Sequence, residues 1–370
     1  MWRRHLSNFA QSVSGNREFR SIMHDGIIVS LHSIARNVMT QTATAIRIGI
    51  DRYGDAGVLR RVDAPVAPPG AGEVRIRQTA VGVNFVDIYF RTGAHPLPAL
   101  PDALGVEAAG VIDAVGPGVT DLAPGQRVAY AGLPTGSYAT LRTLPAARVL
   151  PVPDGLSDDA AAAGLLKGIT VYMLLHRVRQ VRPGDTVLVH AAAGGVGLLA
   201  TQWARALGAR VIGTVGSAAK AALVRAHGAD EVVDYREEDF VAAARAFGGG
   251  TGVDYAIDGI GGDVLTRTLG AVKPFGMVAS IGQVAAVGAR QTIDLDELGP
   301  ARSIALARPS VLGFIARDVD GYREAARVTL DRLAGGMHVE IGARLPLGQA
   351  ADAHRLLESR ATTGAVVLVP

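Results

Sequence analysis

Gly184-Asp185-Thr186-Val187-Leu188-Val189-His190-Ala191-Ala192-Ala193-Gly194-Gly195-Val196-Gly197 reads as a buried strand (residues 186–190), a turn almost without side chains, and a helix opening near Gly195. Amides at a helix start have no acceptor inside the helix and lie at the positive end of its dipole, so this turn suits a pyrophosphate. The spacing is a variant of the dinucleotide fingerprint, Ala192-x-Gly194-x-x-Gly197, with alanine in the first glycine's place. Its position between strand and helix favours a ligand site over a plain tight turn.

Working outward, residues 169–307 alternate strands and helices. Strands are expected at 186–190, 210–215, 231–234, 255–258 and 276–281, with helices at 197–207, 218–227, 237–247 and 263–271. Near-continuous apolar strands between amphipathic helices imply a parallel sheet covered on both faces. The fold class is α/β, with a doubly wound Rossmann-type dinucleotide-binding domain. Residues 41–168 read differently, as short strands such as Glu73–Arg77 and Gly110–Val115 broken by Gly and Pro, with no helix of their own. The tail, 308–370, holds a helix near 319–334, a strand at 338–343, a helix at 349–360 and a last strand at 364–369. It is expected to return to the β-rich unit, giving domains of 41–168 with 308–370, and 169–307.

The chain of 370 residues carries a net charge of +3, and residues 1–40, with five arginines against Glu18 and Asp25, account for all of it. The remainder is neutral, which speaks against a nucleic-acid surface. Residues 1–40 admit three readings: a transit peptide, a disordered arm, or an upstream stretch before a true start at Met39, the last being preferred. No apolar run is long enough for a membrane span. The chain has no cysteine, which excludes disulfides, thiol catalysis and cysteine-ligated zinc and suits a reducing cytoplasm.

An NAD site usually places Asp or Glu on the ribose about 20 residues after the glycines. Here Gly213-Thr214-Val215-Gly216-Ser217-Ala218-Ala219-Lys220 offers no acid. Ser217 and Lys220 could hold a 2′-phosphate that a carboxylate would repel, so the expected cofactor is NADPH. Gly259, Ile260, Ser280, Gly282 and Gln283 follow successive strands, where open α/β sheets bind ligands. Asn84 with Asp87 three residues on also reads as a helix cap with an acidic third position. The histidines show no ligand or triad spacing and are taken as structural.

From Thr44 to Pro370 the chain resembles the zeta-crystallin type of quinone oxidoreductase, in the medium-chain dehydrogenase/reductase superfamily. The resemblance rests on Gly184-Asp185-x-x-Leu188-x-x-x-Ala192-Ala193-Gly194-Gly195-x-Gly197-x-x-x-x-Gln202-x-x-Arg205. It also rests on Val83-Asn84-Phe85-Val86-Asp87-x-Tyr89, Leu166–Tyr172, Asp234–Asp239 and Glu358-Ser359-Arg360-Ala361-Thr362. It implies a GroES-like β-rich catalytic domain beside the Rossmann domain, and a homodimer. Zinc alcohol dehydrogenases of the superfamily carry Gly-His-Glu-x-x-Gly; this chain reads Gly105-Val106-Glu107-Ala108-Ala109-Gly110. Valine cannot bind a metal, so no metal site is expected, Glu107 is taken as structural, and the acceptor must take up hydride or electrons without Lewis-acid help.

By the same resemblance Asn84, Phe85, Asp87 and Tyr89 lie over the nicotinamide and ribose, with Tyr89 orienting a quinone oxygen or donating a proton. Lys167 and Thr170, expected to begin the helix linking the domains, reach the ribose and the nicotinamide amide. Ala193, Gly194, Gly195 and Val196 hold the pyrophosphate, Gly216 and Tyr235 border the adenine ribose, and Arg360 contacts a phosphate. The expected activity is zinc-independent, NADPH-dependent reduction of quinones by hydride or single-electron transfer. Its alternatives are reduction of activated alkenes (enals and enones) at the same site, and an NADPH-binding protein with an RNA-binding or structural role.

Overall fold

Apolar residues dominate Thr186–Val189, Arg210–Val215 and Val253–Asp258, which are buried along nearly their whole length, while Glu231–Asp234 and Val272–Ser280 are buried in part. The computed structural model describes residues 43–285 and 287–370, so the readings for residues 1–40 lie outside it. Those strands, with Ala305–Ala307 at the edge, form a six-stranded parallel sheet in the spatial order 231–234, 210–215, 186–189, 253–258, 272–280, 305–307. The chain steps outward from 186–189 in one direction and then returns to its other side at 253–258. That reversal is a topological switch point, where ligands bind outside the carboxyl ends of the strands. His190 N–H donates to the Ile257 carbonyl (3.0 Å) across it.

The second large sheet has seven strands, mostly antiparallel, built on Glu73–Val83 and Glu107–Val115. The C-terminal strand Ala365–Val369 joins it, with Val367 opposite Gly82, and Ile341–Pro346 pairs parallel to that strand. One continuous core runs beneath both sheets. Its central member is the helix Asp158–Tyr172, every residue of which is buried from Ala161 onward.

Several local expectations are corrected. The 41–168 stretch does contain helices, at Phe85–Thr92 and from Asp158. Lys167 and Thr170 therefore sit in the middle of a helix rather than at its start. Ser157 Oγ accepts Ala160 N–H (3.2 Å) and Asp158 and Asp159 occupy the first turn, so the helix begins where its cap and dipole favour it. The helix expected from Glu237 begins at Phe240, because Asp239 caps it. The strand expected at 338–343 is Ile341–Pro346, and an unforeseen helix, Val311–Arg317, starts at a Ser310 cap.

Gly168 is where the central helix meets Val319–Ala334. A Cβ there would lie 2.2 Å from Thr329 Cγ2, and Thr329 is fully buried. Gly168→Ala is expected to lower stability by about 1–3 kcal/mol, more than offsetting the roughly 1 kcal/mol that alanine gains over glycine in a helix. Urea titration checks this; an unchanged midpoint would show that the crossing yields freely.

Candidate functional site

The fingerprint turn is closed by its own backbone. Gly194 N–H donates to Ala191 O (2.9 Å), Ala192 N–H to Thr214 O (3.1 Å), and Ala191 adopts φ +48°. A Cβ at Gly197 would lie 2.6 Å from Ala191 O, so the helix Gly195–Ala206 approaches the turn as closely as only glycine allows. Gly195 and Val196 open that helix with amides that have no intrahelical acceptor. The cradle therefore fits a pyrophosphate. The turn also meets the other sheet: Gly364 N–H donates to Ala193 O (2.8 Å).

Beside the turn lies a cavity of about 300 Å³, into which Phe85, Ala193, Gly194, Gly216, Lys220, Tyr235, Gly259, Ile260 and Arg360 all face. A Cβ at Gly216 would lie 2.6 Å from the Tyr235 hydroxyl, so the ring covers bare backbone. Lys220 Nζ donates to the Arg360 main-chain carbonyl (2.7 Å) and the Arg360 guanidinium donates to the Val284 carbonyl (3.4 Å), so both side chains line the cavity. Ser217 is engaged as the cap of helix Ala218–Ala226, its Oγ accepting Lys220 N–H at 3.4 Å. His190 also faces the cavity, between Thr214 Oγ1 (2.9 Å) and Thr268 Oγ1 (2.8 Å). Burial, helped by Arg267, pushes its pKa down to about 3 and keeps it neutral.

A second cluster forms where Asn84 precedes the helix Phe85–Thr92. Asp87 Oδ2 accepts Asn84 N–H (2.8 Å), one arm of a capping box. The Asn84 side chain is held by others: its Nδ2 donates to Glu107 Oε1 (2.7 Å), and its Oδ1 accepts Lys167 Nζ (2.8 Å). Lys167 Nζ also meets Glu107 Oε1 at 3.0 Å, while Glu107 Oε2 accepts Leu166 N–H (2.7 Å). Glu107 is thus a fully buried hub joining three segments. Behind it, the Tyr138 hydroxyl bridges Asp87 Oδ2 (3.2 Å) and His354 Nε2 (2.9 Å), and Arg91 links His354 to Glu358. Burial foremost, and then the Glu107 charge, raise the Asp87 carboxyl to about 7 against the opposing hydrogen bond from Asn84. Its Oδ1 is buried without a partner.

The remaining expected residues spread along the strand ends. Tyr89 is buried, and its hydroxyl oxygen accepts Gln283 N–H (3.0 Å), tying the β-rich sheet to the parallel one. Burial raises its pKa above the ordinary tyrosine value. Thr170 spends its hydroxyl on the Leu166 carbonyl one turn back (2.8 Å). Ser280 is buried, and Gly282 lies so close to Gly259 that a Cβ would sit 2.4 Å from its carbonyl. Sequence reasoning missed Glu107 as a hub, and it missed Tyr138, His354 and His190. Nor does spacing along the chain show that His227 and His338 meet, their rings 5.7 Å apart.

Two sheets with a dinucleotide turn at the switch point of one and a polar cluster on the other define a dinucleotide-dependent oxidoreductase of the medium-chain type. The chain matches the family models described as Alcohol dehydrogenase GroES-like domain over residues 70–154 and Zinc-binding dehydrogenase over residues 195–331. It is 39% identical over 329 residues to quinone oxidoreductase 1 of Escherichia coli (strain K12), spanning 88% of this chain and 100% of that protein. It is 41% identical over 316 residues to 2-haloacrylate reductase of Burkholderia sp, spanning 83% of this chain and 94% of the relative. The structure of Escherichia coli quinone oxidoreductase complexed with NADPH matches with a TM-score of 0.83 at 39% identity, covering 89% of this chain and 100% of that one. The chain belongs to the quinone oxidoreductase family.

The Asp87 shift has a definite sign. A carboxyl raised from 3.8 to about 7 on folding makes the native state hold the extra proton, so its contribution to stability is greatest at low pH and declines as pH rises through that window. His190 and His354, both lowered to about 3 from 6.5, act oppositely, contributing stability that is lost as pH falls below the ordinary histidine value. Asp87→Asn should therefore gain stability relative to the parent as pH rises from about 4 to about 7, and the difference should be flat above. Denaturant titrations across pH check this; a pH-independent difference would contradict it.

Proposed function

We propose that the chain is a zinc-independent NADPH:quinone oxidoreductase, with the cofactor lying along the cleft between the two sheets. The observation that carries this reading is the acid-free lining of the cavity, which Lys220 and Arg360 share with the fingerprint turn. Two cations there suit a 2′-phosphate. Ala193, Gly194, Gly195 and Val196 would hold the pyrophosphate, with Gly216, Ser217 and Tyr235 around the adenosine phosphate. Asn84, Phe85, Asp87, Lys167 and Thr170 would face the nicotinamide ribose, and Gly259, Ile260, Ser280, Gly282 and Gln283 would line the strand ends. The lobes would be 41–168 with 308–370, and 169–307.

Bound NADPH supplies a hydride from its nicotinamide ring. The protein's part is positioning and polarisation. Tyr89 would donate its hydroxyl proton in a hydrogen bond to the acceptor oxygen, since its lone pair already takes the Gln283 amide. The donor set favours work without a metal: Val106 stands where the zinc enzymes have histidine, both Glu107 oxygens are engaged, and there is no cysteine. The 2-haloacrylate reductase relative favours a second reading, in which the same site reduces activated alkenes. A homodimer is supported by Phe275 and Leu295, 85% and 77% exposed, and by the edge strand Ala305–Ala307. No described helix is long and apolar enough to cross a membrane, and the cytoplasm is the location we propose, by likeness to the bacterial quinone oxidoreductases.

NADPH oxidation measured with naphthoquinones, enals and enones decides between the acceptors. Turnover of quinones is expected; turnover of alkenes alone would replace the quinone assignment. Lys220→Glu should cut the preference for NADPH over NADH by about tenfold or more, measured as the ratio of kcat/KM values. An unchanged ratio would remove Lys220 from the phosphate site.

A further inference from the structure

We infer that His227, His338 and Glu340 form a binding site for a divalent transition-metal cation of the zinc class, outside the cofactor cleft. Among the described residues these are the histidine and carboxylate side chains gathered as three possible ligands, with donor atoms all within 4.8 Å of one another. His227 ends the helix Ala218–Ala226, on the parallel-sheet side. His338 and Glu340 lie just before the strand Ile341–Pro346 of the other sheet. The site therefore bridges two parts of the fold that 110 residues of chain separate.

The donors are prepared for a metal. His227 Nδ1 lies 2.9 Å from the Leu223 carbonyl, which can only accept, so that nitrogen carries the proton and Nε2 is left as a lone pair. A ligand histidine whose other nitrogen donates to a backbone carbonyl is the usual outer-shell arrangement of zinc sites. His338 is held through its backbone on both sides by Gln202, whose Oε1 accepts its N–H (2.9 Å) and whose Nε2 donates to its carbonyl (2.9 Å). His338 Nε2 lies 3.4 Å from Glu340 Oε2. Ligand bonds of about 2.0–2.1 Å at a tetrahedral centre set donor separations of about 3.3–3.4 Å. That pair is therefore already spaced as one edge of a zinc site, with the His227 donor within 4.8 Å of both.

Two imidazoles and a carboxylate leave a fourth position for water. The nitrogen donors select zinc-class ions over calcium or magnesium, which take oxygen ligands. His338 is 64% exposed, so the ion enters from solvent. The nearby Arg205 does not oppose it, being paired with Asp230 at 2.8 Å. Occupancy would also reach the cofactor turn mechanically. The Glu340 carbonyl accepts Ala365 N–H (2.7 Å), and the adjoining Gly364 N–H donates to Ala193 O. A metal bound here clamps together the helix layer of one sheet and the segment that supports the dinucleotide turn.

Equilibrium dialysis of the untagged full chain against Zn²⁺, with Co²⁺ absorption as a spectroscopic reporter of ligand geometry, tests the site. The expected result is one equivalent bound, a visible Co²⁺ band, and a Zn²⁺-induced rise in thermal midpoint. His227→Ala, His338→Ala and Glu340→Gln should each weaken binding by about tenfold or more and abolish the midpoint rise. Metal-free NADPH binding by the three variants should equal the parent's, showing that they fold. Parent chain that takes up no Zn²⁺, or variants that bind it as tightly as the parent, would overturn the proposal; the second outcome would place the metal on other residues.

Discussion

The buried ion pair between Glu107 and Lys167 is the interaction on which the cleft depends. Glu107 comes from the strand Glu107–Val115, Lys167 from the middle of the helix Asp158–Tyr172, and Asn84 from the entry to the helix Phe85–Thr92. All three meet within hydrogen-bonding distance. Removing such charges from water costs several kcal/mol per ion, so a buried pair contributes little net stability even when its geometry is good. Losing one partner is different, at about 3–5 kcal/mol, because the other charge is left uncompensated. The pair is better understood as a positioning device. It lays the Lys167 stem against the dinucleotide turn, where a Cβ on Gly195 would lie 2.9 Å from Lys167 Cδ.

The two sheets meet around the cavity through a small set of polar contacts. Gly364 holds Ala193 of the turn, Tyr89 holds Gln283, and Lys220 and Arg360 tie the helix after the second strand to the C-terminal segment. Each joins one side of the cleft to the other, and each involves a residue of the expected cofactor site. The chain order explains this economy. Because the C-terminal strand returns to pair with Glu73–Val83, residues 360–364 pass directly over the fingerprint turn on their way back.

What was legible in the sequence was local or periodic. The turn at 192–197 declared itself because strand, glycines and helix are contiguous, and the parallel sheet followed from apolar strands at regular spacing. The helix from Asp158 carried its own signal in Ser157-Asp158-Asp159 and the alanines after it, but the β-rich texture upstream masked it. Glu107 reads as structural because its neighbour, Val106, cannot bind zinc; nothing nearby in the chain shows that Lys167, 60 residues on, neutralises it. The Asp87–Tyr138–His354 contacts join residues 51 and 216 apart, and His227 meets His338 from a comparable distance. Such pairs are set by topology, and spacing along the chain cannot report them.

The claim that the Glu107–Lys167 pair serves the cofactor rather than the fold is tested most directly by replacing both partners. In the double variant Glu107→Gln/Lys167→Met, where the glutamine amide can still accept Leu166 N–H and bond the Asn84 amide, stability should stay within about 2 kcal/mol of the parent or exceed it. NADPH affinity, measured by fluorescence titration of the folded variant, should fall by about tenfold or more. A double variant that binds NADPH as tightly as the parent would contradict the account.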